Sequence, residues 1–91
     1  MIEINGKQVD VRKVLPLTLG DYEDLEDGGV PQSAMANMSV KQVRIMVEHI
    51  MHKANAAITT EDVRGLTLSQ MAEVQREITA GNAQDNAEVP T

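Results

Sequence analysis

The chain has 91 residues, one domain's length, with 14 acids against 8 Lys and Arg for a formal net charge of −6. That charge argues against a phosphate-backbone binder, whose affinity comes from Lys and Arg displacing counterions, and neither a basic run nor an aromatic stacking platform is present. Cys, Phe and Trp are absent, which excludes a disulfide staple and a cysteine nucleophile and leaves the core to Leu, Ile, Val and Met around a single aromatic, Tyr22.

Ile2-Glu3-Ile4 alternates, Asn5-Gly6 follows, and Val9-Asp10-Val11-Arg12 alternates again. Asn-Gly suits a type I′ turn, whose central residues both need positive φ. The two-residue loop pairs Ile4 with Lys7 and Ile2 with Val9. It places Ile2, Ile4, Val9 and Val11 on one face and Glu3, Gln8, Asp10 and Arg12 on the other. A lone hairpin is marginal in water, so the apolar face is expected to pack on helices. The alternation carries the second strand to Arg12, with Pro16 ending it soon after.

Thr18-Leu19-Gly20-Asp21 reads as a capping signal for a short helix with Leu19, Tyr22 and Leu25 on one side and Gly28-Gly29 at its end. Residues 30–37 read as a loop. Ser39-Val40-Lys41-Gln42 is a capping box opening a long helix, and Val40, Val43, Met46, Val47, Ile50, Met51 and Ala54 form its apolar stripe. Ile58-Thr59-Thr60-Glu61-Asp62 opens a short helical turn that Gly65 ends. Thr67-Leu68-Ser69-Gln70 caps the last helix, predicted to bury Leu68, Met71, Val74 and Ile78 and to end at Gly81. The predicted fold is therefore α+β, an N-terminal hairpin followed by three to four helices, globular over residues 1–81 with a polar mobile tail at 82–91.

His49 and His52 are the only histidines, one turn apart on the long helix, where a pair of imidazoles can approach a metal. Glu48-His49-Ile50-Met51-His52 is not H-E-x-x-H, and the helical wheel sets both imidazoles opposite the apolar stripe. The expectation is a solvated polar face with no metal and no other cofactor. Ile45 shares that face, either as a lone exposed side chain or as the centre of a contact patch with the two histidines.

Asp21, Glu23, Asp24, Glu26 and Asp27 crowd the short helix ahead of Gly28. With Gly28 at the sixth position of a calcium loop, Ala34 falls at the twelfth, where a bidentate acid is required, so an EF-hand is excluded. The acids read as a solvated outer face or as an electrostatic handle for a basic partner segment. There is no Gly-rich phosphate loop, no G-x-S-x-G and no carboxylate pair in an apolar context, so no enzyme activity is expected. The start, from Met1 to Lys7, has neither a basic n-region nor an apolar h-region, and no apolar run approaches the ~20 residues of a membrane span. The expected compartment is the cytoplasm.

The order of features resembles the tail assembly chaperones of long-tailed bacteriophages. The resemblance rests on the Ile4-Asn5-Gly6-Lys7 hairpin, on Leu17-Thr18-Leu19-Gly20-Asp21-Tyr22 ahead of the acidic helix, and on Thr60-Glu61-Asp62-Val63 before the terminal helix. It covers roughly residues 1–80. It implies a protein of the bacterial host cytoplasm that escorts the tape-measure protein, and with it the tail tube protein, while the tail tube polymerises, without joining the virion. The family carries no catalytic residues to transfer. The surface expected to meet the partner comprises Ile45, His49, His52 and the acids of residues 21–27, and homo-oligomerisation is a further route to stability for so small a core. Two rival readings remain: an acidic mimic of nucleic acid that inhibits a DNA-binding protein, and a small structural or adaptor protein of the virion.

Overall fold

The computed structural model describes residues 2–87, with side chains through residue 81. Strands β1 (Ile2–Ile4) and β2 (Lys7–Val9) form the antiparallel hairpin in the predicted register, Ile2 opposite Val9 and Ile4 opposite Lys7. Asn5 and Gly6 both take positive φ, 50° and 78°. Ile4 and Val9 are buried and Ile2 packs against the core, so the hairpin lays its apolar face on the helices as expected.

Strand β2 stops at Val9 rather than reaching Arg12. Val11–Val14 is instead a turn of 3₁₀ helix. This turn rests on both the long helix and the last helix and buries Val11.

Four helices follow: α1 (Leu19–Asp27), α2 (Val40–Ala54), α3 (Thr60–Arg64) and α4 (Leu68–Ala87). Thr18, Ser39 and Thr59 cap the first three with reciprocal boxes, in which the cap hydroxyl accepts from the third helical amide while that residue's side chain accepts from the cap amide. Thr67 and Gln70 make the same exchange at the start of α4. Gly28 and Gly65 end α1 and α3 where the sequence places stops. The segment 30–37 contains a short 3₁₀ turn at Gln32–Ala34 and sends Val30 into the core.

α4 does not end at Gly81; it continues to Ala87. Gly81 is there for close approach, not for termination, because Leu15 sits directly against it. The helix therefore crosses the predicted boundary between domain and tail, and residues 88–91 lie outside those described.

The core gathers Val9, Val11, Leu25, Val30, Ile50, Ile58 and their neighbours from both strands, the Val11–Val14 turn and all four helices, each such side chain contributing about 1.5–3 kcal/mol on burial. Met46, Val47, Ile50 and Met51 supply the buried stripe of α2, with Val43 and Ala54 at its edges. No helix of the described residues is long and apolar enough to cross a membrane.

Candidate protein-binding site

Two surfaces flank α2, and the sequence points to only one of them. On the first, α1 lies over the helix face that carries Ile45, His49 and His52. Ile45 is half-buried, with its Cγ2 3.5 Å from where a Cβ on Gly28 would stand. The expectation of a solvated polar face holds for His52, which is exposed, and is corrected for Ile45 and His49, which are half-buried beside α1.

Asp21 is corrected as well. The sequence groups it with the solvated acids, but only 3% of it is exposed. Its carboxylate accepts from the Thr18 amide at 2.8 Å and the Thr18 hydroxyl at 3.0 Å, and from Lys53 Nζ at 2.8 and 3.0 Å. His49 Nε2 stands 3.0 Å from Oδ1; a carboxylate only accepts, so this nitrogen carries the proton. Burial pushes the Asp21 carboxyl up, but the hydrogen bonds from Lys53, Thr18 and His49 outweigh it and hold it well below the usual carboxylate range. A buried carboxylate with its donors in place is a clasp between α1 and α2, not a handle for a partner.

His52 turns elsewhere, its Nδ1 3.0 Å from the Ile58 carbonyl oxygen, so the two imidazoles do not converge. Asp24 stays exposed and shares two shallow depressions with His49 and His52 along the α1–α2 seam. Glu23, Glu26 and Asp27 are exposed. Of the residues named from sequence, Asp21, Asp24, Ile45, His49 and His52 come together at this seam, and the other three lie outside it.

The hairpin has a matching clasp that the sequence did not flag as a site. Asn5 Nδ2 and Lys7 Nζ each donate to Asp62 at 2.7 Å, and Lys7 also donates to the Ala57 carbonyl at 2.8 Å. Asp62 is the third residue of α3, as Asp21 is of α1, and its carboxyl is held well below the usual range by Lys7, then Asn5 and the Thr59 amide.

The second surface is an apolar groove of about 360 Å³ where the starts of α2 and α4 meet α3. Met38, Val40 and Val43 form one wall, Leu66, Leu68 and Met71 the other, with Val63 between them. Val40 and Leu68 were expected in the core, yet they are 81% and 84% exposed. Both are the first residue after a cap, and helical Cα–Cβ bonds tilt towards the N-terminus, so these side chains lean past the helix start and away from its packed body. α4 meets the 3₁₀ turn at Val11–Val14 and sends Val74 and Ile78 into the core, while its start lines the groove.

Arg44 and Arg64 line this groove and, with Lys41 and Thr60, an adjoining depression; no carboxylate lines either. Arg44 meets Glu48 at 2.9 Å, Arg64 stands 3.9 Å from exposed Glu61, and Lys41 makes no ion pair among the described residues. The signal in the sequence was an apolar residue directly after each cap with a Met close by, a pattern that a helical wheel folds into the core stripe.

Comparison with known protein families, with curated proteins and with solved structures finds no match.

Proposed function

We propose that this chain is a non-catalytic assembly factor, a tail assembly chaperone of long-tailed bacteriophages that acts in the host cytoplasm. It binds the tape-measure protein while the tail tube is built and leaves before the virion is complete. The observation that carries a binding role is the open groove with Val40 and Leu68 exposed on its rims, an arrangement that places apolar area in water unless another chain covers it. Met38 and Met71 in its walls can repack around different apolar ridges, which suits contacts repeated along a long helical partner. The choice of partner rests on the sequence resemblance, above all the Leu17-Thr18-Leu19-Gly20-Asp21-Tyr22 segment. Burial of Asp21 shortens the acidic face that a nucleic-acid mimic would need, which favours the chaperone reading over that rival.

The test is co-expression with the products of the neighbouring genes, followed by affinity purification and mass spectrometry. The tape-measure protein should be captured, with the tail tube protein a second candidate, and the chain should be missing from finished particles. Capture of no tail protein, or retention in purified virions, would overturn the reading.

A further inference from the structure

We propose that the groove between α2, α3 and α4 receives an amphipathic helix with an acidic flank, an inference that rests on the groove being the partner-binding surface. The walls contributed by Val40, Val43, Leu68 and Met71 suit the apolar stripe of a helix laid in the groove, the mode in which side chains at helical spacing anchor between two flanking helices. Exposure of Val40 and Leu68 makes the site a trough open to solvent, unlike the enclosed pockets that bury most of a small ligand.

The charges choose the flank. The formal charge of the groove lining comes from Arg64 and from Arg44, which already meets Glu48 at 2.9 Å. Lys41, with no ion pair among the described residues, extends the same rim. Arg64 is tied only loosely, at 3.9 Å from Glu61, and a surface pair at that distance contributes about 0–1 kcal/mol, so a partner carboxylate can take its place. The net charge of −6 points the other way, towards a basic partner. Screening decides between them: charges beyond about 8–10 Å are largely damped at physiological salt, whereas contacts at the rim are not. A second copy of this chain is a poor occupant. Its acidic helix α1 has Leu25 buried and Tyr22 half-buried, which leaves Leu19, 78% exposed, as its one exposed large apolar side chain, too little for a stripe.

The experiment uses the full chain and two fluorescent helical peptides with one leucine stripe, flanked by Glu in one and by Lys in the other. Anisotropy titrations at physiological salt should show the Glu peptide binding about tenfold more tightly, equivalent to about 1.4 kcal/mol. Leu68→Asp should weaken that binding about tenfold or more while melting like wild type. Lys41→Glu with Arg64→Glu should reverse the preference. Groove-dependent binding of the Lys peptide, or binding of the Glu peptide undiminished by Leu68→Asp, would overturn the proposal. A dimer in sedimentation that Leu68→Asp dissolves would overturn it too, by giving the groove to a second copy. The chaperone reading fails separately: if Leu68→Asp still captures the tape-measure protein, only the groove assignment falls. If wild type binds the Glu peptide but no tail protein, only the chaperone assignment falls.

Discussion

Leu15 lies so close to Gly81 that a Cβ at position 81 would stand 2.5 Å from its Cδ1 and 2.9 Å from its Cβ. The contact joins the segment ahead of α1 to the interior of α4 and explains a glycine in mid-helix. Intrinsic propensity alone would make Gly81→Ala stabilising by about 1 kcal/mol. Leu15 Cβ is tied to its backbone and cannot swing away, so overpacking of about 1–3 kcal/mol should dominate. Urea unfolding should show a net loss, and the same substitution should cost less in a Leu15→Ala background, where the overlap with Cδ1 is gone.

Acid should weaken the fold in a defined window. Asp21 and Asp62 both have folded-state pKa values lowered from the ordinary carboxylate value, which is about 3.9 in the unfolded chain. Groups shifted in that direction contribute stability in full above the unfolded value and lose it as pH falls through the folded one. Wild type should therefore keep its stability from neutral pH down to about 5 and lose it progressively below about 4. Asp21→Asn should be weaker by about 1–3 kcal/mol at neutral pH, since charge-assisted bonds from Lys53 and His49 are lost, and its stability should fall less steeply in acid. Denaturation curves across pH 2–7 check both points; identical slopes for the two proteins would refute the assignment.

Val9 has no exposed surface and faces the helices from β2. Val9→Asp should cost about 2–4 kcal/mol, because an unpaired charge would enter an apolar contact. Chemical denaturation with almost no loss would show that the hairpin is not part of the cooperative unit.

Leu68→Asp and Val40→Asp should behave in the opposite way. Both positions are exposed, so neither change should move stability by more than about 0.5 kcal/mol. A drop of several degrees in Tm would mean that these side chains support the domain and not a partner.

Much of the fold was legible because local chemistry dictated it. Asn5-Gly6 determines the hairpin register, and each cap residue at 18, 39, 59 and 67 opens a helix as its side chain requires. A helical wheel assigns Val40 and Leu68 to the core stripes of their helices, and the structure does not. Among the described residues, Leu19, Val40 and Leu68 are the exposed large apolar side chains, and each directly follows a cap. A wheel records angle but not position along the axis, so it misses that the first residue of a helix overhangs its end. Asp21 was misplaced for a related reason. Its neighbours in sequence are solvated acids, and the partners that bury it, His49 and Lys53, arrive from a helix far along the chain. Gly81 was read as a stop because its true constraint, Leu15, is distant in sequence.

α1 is fastened to the rest of the molecule chiefly along one side. Its principal packing is against α2, and that contact consists of the Asp21 clasp near one end, Leu25 in the middle and Ile45 beside Gly28 at the other end. The hairpin is clasped to α3 through Asn5 and Lys7, α3 packs on α2, and α2 and α4 both rest on the 3₁₀ turn. Two tiers of amide protection follow in native-state hydrogen exchange: protons of α1 should exchange by a partial opening that leaves the rest intact, while those in the middle of α2 should exchange only when the whole chain unfolds.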